Sequence, residues 1–307
     1  MQPDRLAGSY FALIWGILAL TFSSLFVRWA DAPGIVTSFY RMLIASIVFG
    51  PMVGVIIVKE KIRLSKEIMF PILAGISSGL DHGFWSTAID QTQVANATLL
   101  NNIAPVWVVL FSVIVFRERP SIRFWLGFIF TLTGAIIVFG NNLINNPQFS
   151  RGDALALISS IWYAGYFLLS QEGRKKLPAI VFVGLASIVG CITLSIATVG
   201  SGIPLTGYSA DTYLMFLGAG LLSQVTGYFA LVYALGRLPA AIVSPSMVTQ
   251  PVLTALLAIP LLGEALSAFQ IIGGLITLLG VFIINNIQNR GVPVSEIQDA
   301  EMISREA

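Results

Sequence analysis

An aspartate and a histidine stand side by side, as Asp81 and His82, inside the apolar stretch GISSGLDHGFWSTAID. His82 is the only histidine of the chain, and an imidazole binds or releases a proton near neutral pH. Ionisable groups within apolar sequence usually face a partner or a wet cavity. Three uses of the pair are open: a bond from Asp81 to Arg41 that locks helices together, contact of His82 with a bound molecule, or proton binding by either residue.

Amides and aromatic side chains recur within other apolar stretches. Asn101, Asn102 and Trp107 flank Pro105 in LLNNIAPVW, and a proline removes one helix hydrogen bond. In SSIWYAGYF and LLSQVTGYF, two such side chains stand four residues apart and therefore on one helix face. The pattern suits a site for small amphipathic molecules. Its candidate residues are His82, Trp85, Asn101, Trp107, Trp162, Tyr163, Tyr166, Gln224, Tyr228 and Gln250.

Several other chemistries are excluded by the residues that the sequence lacks. A single cysteine, Cys191, excludes a disulfide framework and a cysteine-based metal site. The sequence contains no HExxH zinc motif, no Gly-x-Gly-Asp motif and no P-loop. We therefore expect no enzyme activity, no metal, no cofactor and no use of ATP. The net charge of +2 gives no indication of nucleic-acid binding.

The composition is that of a membrane protein, so helices in lipid must position these residues. Of the 307 residues, 56% are hydrophobic and 10% are charged, against about 25% charged in soluble domains. Ten apolar runs are long enough to cross roughly 30 Å of hydrocarbon at about 1.5 Å per residue. They lie at about 9–27, 34–58, 68–89, 94–116, 122–140, 153–171, 179–199, 211–235, 240–262 and 268–286. We predict an all-α integral membrane protein with ten transmembrane helices.

The distribution of lysine and arginine predicts the orientation, since these residues gather in cytoplasmic loops. With a cytoplasmic N-terminus, ten spans place all 17 Lys and Arg residues inside except Arg28, Arg151 and the intramembrane Arg41. Both termini are therefore predicted to be cytoplasmic. In this orientation Asp81 lies on the order of 20 Å into the third span, near mid-membrane, and Arg41 lies at a similar depth. An Asp81–Arg41 salt bridge is geometrically possible.

The sequence contains an internal repeat, because residues 95–139 align without a gap on residues 241–285. A repeat of five spans is odd in number, so the second copy must enter the membrane from the opposite side. We predict two inverted repeats, residues 1–144 and 145–286, followed by a cytoplasmic polar tail at 287–307. The matched pairs are Pro105 with Pro251, Glu118 with Glu264, Gly127 with Gly273, and Gly134 with Gly280, and at the same offset His82 falls on Tyr228.

The matched residues are predicted to have structural roles. The prolines are expected to kink their helices, because a proline cannot donate a backbone hydrogen bond. Each glutamate closes an apolar run and is expected to bond at a helix end rather than to a ligand. The two glycines of each copy are seven residues apart on one face, which suits close helix packing within the bundle or at a dimer face.

The stretches ANATLLNNIAPVWVVLF and AAIVSPSMVTQPVLTAL, each followed by a glutamate and a glycine-containing helix, resemble the repeat of the drug/metabolite transporter superfamily, in its EamA-type ten-helix group. SFYRMLIA, residues 38–45, resembles the arginine-bearing second helix of that family. The first copy departs from the pattern with VFRER where LLGE is usual. Among members, an aromatic-rich chain with a mid-membrane histidine is most similar to the YddG-type amino-acid exporters.

The resemblance implies a secondary transporter of the bacterial inner membrane that works by alternating access. It implies export of amino acids, with aromatic or large apolar ones favoured, or of similar small metabolites. The expected partners are a small-molecule substrate and the lipid bilayer, with the chain as a monomer or homodimer. Export of drug-like compounds is the alternative within transport, and a non-transporting membrane scaffold or receptor is the alternative outside it.

Overall fold

The computed structural model describes residues 3–62, 66–92, 94–115, 117, 120–145, 150–250, 252–253, 256–257 and 268–288. Within these ranges the chain is helical between its loops and contains no strand, which confirms the all-helical prediction. The α-helices are α1 (Pro3–Trp29), α2 (Gly34–Lys59), α3 (Met69–Gln91), α4 (Val94–Asn101), α5 (Ala104–Ile114), α6 (Ile122–Asn145), α7 (Arg151–Arg174), α8 (Ala179–Gly200), α9 (Ala210–Gly218), α10 (Phe229–Leu235), α11 (Ala240–Met247) and α12 (Ala268–Gln288). A 3₁₀ turn (Lys66–Ile68) precedes α3, and a π-helix (Ala219–Tyr228) joins α9 to α10.

Five helical segments are long and apolar enough to cross a membrane: Leu6–Trp29, Gly34–Lys59, Arg151–Arg174, Ala179–Gly200 and Ala210–Leu235. They coincide with the first, second, sixth, seventh and eighth predicted spans. Three shorter apolar helices, Ala104–Ile114, Ile122–Ile137 and Ile271–Asn286, lie in the fourth, fifth and tenth predicted spans. The third predicted span forms α3, which has 23 residues and carries Asp81 and His82. Such lengths are those of a multi-pass membrane protein.

The fourth predicted span forms two helices rather than one. α4 ends at Asn101, and α5 begins at Ala104 with Pro105 in its first turn. A proline fits this position because the N–H group that it lacks has no helical partner there. In the second copy α11 ends at Met247, 146 residues after Asn101 (247 − 101). The helix is therefore interrupted at equivalent positions of the two copies.

The eighth predicted span is continuous, but its middle is irregular. Between Ala219 and Tyr228 the backbone forms a π-helix of 10 residues, in which each N–H bonds to the carbonyl five residues earlier and the turn widens. π-turns are rare and are found mostly at functional sites. The wide turns set the direction of two candidate site residues, Gln224 and Tyr228.

α3 is held from two sides, by α7 and by α8, and α2 also packs along α8. Two glycines of α3 allow the close approach to α8. A Cβ on Gly75 would lie 2.6 Å from the carbonyl oxygen of Ala186, and one on Gly79 would lie 2.8 Å from Cβ of Thr193. Small residues four apart are a common means of bringing membrane helices together. This packing fixes the helix that carries Asp81 and His82.

α6 and α12 pack closely against each other, with the four matched glycines at their contact. A Cβ on Gly127 would lie 2.9 Å from the carbonyl oxygen of Gly280, and one on Gly134 would lie 2.5 Å from that of Gly273. The threonines of the two helices make matching bonds 146 residues apart (277 − 131): Thr131 Oγ1 donates to the Gly127 carbonyl, and Thr277 Oγ1 to the Gly273 carbonyl, both at 2.9 Å.

Three of the matched residues, Pro251, Glu118 and Glu264, lie outside the described residues, and so does the chain from residue 289 onward, which includes most of the predicted tail. The helix kink predicted at Pro251 and the helix-end roles predicted for the two glutamates stay predictions.

Replacing Gly127 by leucine is expected to destabilise the protein, because the new side chain would press on the Gly280 backbone and on Ile284. Overpacking of this kind costs about 1–3 kcal/mol, so the yield of monodisperse protein in detergent and the Tm should both fall. Gly54→Leu is the matched control, since Gly54 is also helical and a Cβ there meets nothing within 4 Å. Equal yields and Tm values for the two variants would contradict the packing role.

Candidate functional site

A cavity lies where α1, α2, α3, α4, α7 and the π-helix meet. Its volume is about 40 Å³, and one buried water needs roughly 10–15 Å³. In this conformation it accommodates a few water molecules, so a larger ligand requires the surrounding helices to move apart. The lining residues are Leu20, Ser23, Ser24, Arg41, Asp81, His82, Trp85, Thr98, Asn101, Asn102, Tyr163, Tyr228 and Gln250.

Asp81 is buried, and its carboxylate is positioned by an amide. Asn101 Nδ2 donates to Asp81 Oδ1 at 3.0 Å and lies 2.6 Å from Ser159 Oγ. These contacts join α3, α4 and α7 around one carboxylate. The break after Asn101 that leads to Pro105 places this amide at the end of a helix, beside the cavity.

Arg41 is 1% exposed and extends from α2 into the same region. Its Nη2 donates to Gln224 Oε1 of the π-helix at 3.3 Å. Among the residues that the structure describes, its Nε and Nη1 have no hydrogen-bond acceptor. The salt bridge to Asp81 that the matching depths allow is not formed, because Gln224 holds the guanidinium on one side while Asn101 binds the carboxylate on the other.

The tautomer of His82 follows from its hydrogen bond. Nδ1 lies 2.8 Å from the carbonyl oxygen of Ser78, and a carbonyl only accepts, so Nδ1 carries the hydrogen. Nδ1 is also 3.5 Å from Asp81 Oδ2. In the neutral ring this bonding leaves Nε2 as an acceptor. The ring centroid lies 5.3 Å from that of Tyr228, the residue paired with it by the sequence repeat.

Aromatic side chains close the cavity on the side of α7 and the π-helix. Tyr163 and Tyr228 line it, and Trp85 lies one helical turn beyond His82 on α3. Tyr166 packs edge to face behind Tyr228, with ring centroids 5.5 Å apart. Gln250 lines the cavity from the second copy, and its Nε2 donates to the carbonyl of Leu20 at 2.9 Å.

Four of the candidate ligand-binding residues do not line the cavity. Trp162 is 36% exposed, whereas Tyr166, four residues on, is 2% exposed. The two therefore lie in different environments despite their spacing. Trp107 Nε1 donates to Ser160 Oγ at 2.9 Å and joins α5 to α7. Gln224 does not line the cavity but bonds to Arg41, which does. Tyr166 likewise packs against the lining residue Tyr228.

The first helix contributes lining residues that the sequence analysis missed. Ser23 and Ser24 of α1 face the cavity, as does Thr98 of α4. The only sequence signal was the pair of serines in TFSSLF, within an otherwise apolar span. Serine is an ordinary residue in membrane helices because its hydroxyl can bond to its own backbone, as Ser24 Oγ does to the Thr21 carbonyl at 3.5 Å.

The arrangement is suited to non-covalent recognition of a polar molecule. Arg41 supplies free donors, while Asp81 and His82 supply acceptors. Within the described ranges there is no group of three or more His, Cys, Asp or Glu residues that could hold a metal ion.

Comparison with known proteins identifies one family of transporters. The EamA-like transporter family matches residues 6–140 and again residues 150–286. An uncharacterized transporter of Clostridium kluyveri is 25% identical over 255 residues, which are 81% of this chain and 82% of that protein. The threonine/homoserine exporter RhtA of Salmonella typhimurium is 28% identical over 214 residues, 69% of this chain and 70% of that protein.

A solved crystal structure has the same fold. It superimposes with a TM-score of 0.71 at 17% sequence identity, covering 94% of this chain and 100% of the other.

Replacing Asn101 by alanine is expected to lower stability, because it leaves the buried Asp81 carboxylate without its amide donor. Losing a hydrogen bond to a buried charged group costs about 1–3 kcal/mol, which a Tm measurement in detergent would detect. Asn102→Ala is the matched control, since Asn102 Nδ2 donates only within its own helical turn, to the Thr98 carbonyl at 2.8 Å. A larger Tm loss in the control than in Asn101→Ala would contradict the bridging role.

Proposed function

The chain belongs to the EamA-like transporter family, and on this basis we propose that it is a secondary carrier that exports amino acids or similar small metabolites across the bacterial inner membrane. We further propose that aromatic or large apolar amino acids are favoured. The observation that carries the proposal is the cavity lined by the buried side chains of Arg41, Asp81, His82, Tyr163 and Tyr228.

The energetic cost of these groups supports a role in ligand binding. An ionisable side chain within a membrane is expensive and is usually found where it faces a partner or a substrate pathway. Arg41, Asp81 and His82 are all buried, and all three line one small cavity. A bundle that served only as a scaffold has no need for such groups, since apolar packing alone would stabilise it at less cost.

The relatives support transport of small molecules. The chain of Clostridium kluyveri is named a transporter, and RhtA of Salmonella typhimurium is named a threonine/homoserine exporter. The preference for aromatic or large apolar amino acids rests on Trp85, Tyr163 and Tyr228 in the lining. It also agrees with the resemblance to the YddG-type amino-acid exporters.

Alternating access between two inverted five-helix repeats would explain how the cavity is exposed to each side in turn. The proposed repeats are residues 1–144 and 145–286, with ten spans and both termini in the cytoplasm. Supporting observations are the matching helix ends at Asn101 and Met247 and the matching hydrogen bonds of Thr131 and Thr277. The small cavity volume also supports a cycle in which helices must separate to admit a substrate.

Purified protein in liposomes is expected to show saturable efflux of labelled phenylalanine, tryptophan or methionine. The measurement should be made with and without an imposed pH gradient, because a response to the gradient would support a proton role for Asp81 or His82. Threonine and homoserine belong in the same panel. Folded protein that moves none of these amino acids would contradict the proposal and favour drug-like metabolites as substrates.

His82→Ala is expected to reduce efflux at least roughly tenfold, since it removes a cavity residue. The loss of folded protein should be small, because His82 donates to a backbone carbonyl of its own helix. Trp162→Ala is the control, because this aromatic residue is exposed and does not line the cavity, and its loss should leave efflux within about twofold. Equal efflux for the two variants would place the site elsewhere.

A further inference from the structure

We propose that Arg41 and Asp81 bind opposite ends of a zwitterion, with Arg41 on the substrate carboxylate and Asp81, together with His82 Nε2, on the ammonium group. This inference rests on the proposed transport function and specifies the recognition that it uses. The carrier then requires both charged groups on one substrate.

The unpaired donors of Arg41 are the first observation. A guanidinium has five N–H donors, and those on Nε and Nη1, three in all, have no acceptor among the described residues, although both atoms are buried. A buried charge without hydrogen bonds is strongly destabilising. A carboxylate is the natural complement, because its two oxygens accept parallel bonds from a guanidinium.

The second observation is that Arg41 and Asp81 line one cavity without bonding to each other. Gln224 Oε1 accepts from the guanidinium on the side of the π-helix. Asn101 donates to the carboxylate on the side of α4 and α7. These contacts hold two opposite charges apart on a shared cavity. A ligand with one negative and one positive end would satisfy both charges and leave the site neutral overall.

The surrounding groups determine where the rest of the ligand lies. His82 Nε2 is an acceptor, because Nδ1 donates to the Ser78 carbonyl, and His82 and Asp81 line the same cavity. A primary ammonium has three donors, so it can bond to Asp81 and to the imidazole together. Trp85, Tyr163 and Tyr228 then provide apolar faces for the side chain. A cationic drug would lack a partner for Arg41, and a simple carboxylic acid would lack one for Asp81.

The test uses three molecules that share a phenyl ring: L-phenylalanine, 2-phenylethylamine, which lacks the carboxylate, and 3-phenylpropionate, which lacks the ammonium. Each is assayed as a competitor of labelled phenylalanine in counterflow with wild-type protein in liposomes. Both analogues are expected to compete roughly 10- to 100-fold more weakly, the factor for one lost hydrogen-bonded charge.

Arg41→Gln should reduce phenylalanine counterflow by a similar factor and narrow the preference for phenylalanine over 2-phenylethylamine. Its Tm should not fall, because the one bond lost, to Gln224, is offset by the removal of a buried charge whose Nε and Nη1 have no acceptor among the described residues. Arg28→Gln is the matched control, since Arg28 is exposed in the last turn of α1, and it should leave both rate and preference unchanged. If Arg41→Gln does not fold, the competition series on wild-type protein still decides the question.

The outcomes separate this inference from the transport function. Counterflow of phenylalanine with equal competition by either analogue, or an Arg41→Gln variant with unchanged preference, would overturn zwitterion recognition and leave the carrier intact. Loss of Tm in Arg41→Gln without a change in preference would assign Arg41 to structure alone. Wild-type protein that carries no amino acid would overturn the proposed function itself.

Discussion

The hydrocarbon interior offers no water to buried polar groups, so each one must find its partner within the protein. This constraint organises the bundle around Asp81. Asn101 can reach the carboxylate only because α4 ends there, and its amide also meets Ser159 of α7. Ser38 Oγ of α2 donates to the His82 carbonyl at 3.3 Å and adds a fourth element. Among the described residues that line the cavity, Arg41 is the exception to this rule, and its unpaired donors mark the place where we propose that a ligand binds.

The backbone is irregular beside the charged residues of the cavity and regular where helices only pack against each other. The break between α4 and α5 and the π-helix both lie beside the cavity, and each supplies an amide, Asn101 or Gln224, to a charged group. α6 and α12, by contrast, are continuous helices that meet through glycines and backbone. One set of helices is therefore irregular beside the cavity, and the other is shaped by close packing. In the proposed carrier cycle, a site that opens and closes requires a rigid frame to move against.

Much of the site was predictable because charged residues are rare in apolar sequence. Asp81, His82 and Arg41 were identified as soon as the spans were assigned, and the repeat matched His82 with Tyr228, whose rings do meet. Ser23 and Ser24 were missed because a serine in a membrane helix carries no distinct signal. Trp162, a candidate by its spacing from Tyr166, does not line the cavity, because spacing identifies a helix face but not the neighbour of that face. Two side chains four residues apart can therefore differ in exposure, as Trp162 and Tyr166 do.

Composition and periodicity by themselves determined that this chain is helical and that most of it belongs in lipid, since both follow from local sequence and from the solvent that apolar residues require. The family likewise follows from local motifs, the proline, glutamate and glycines of each copy. The tertiary structure alone decided which side chain bonds to each charged group. Arg41 and Asp81 are predicted to lie at matching depths in neighbouring spans, yet Gln224, 183 residues away from Arg41, binds the guanidinium. Hydrogen bonds depend on angles and distances of a few tenths of an ångström, and the rotation of each helix that sets them is a property of the assembled bundle.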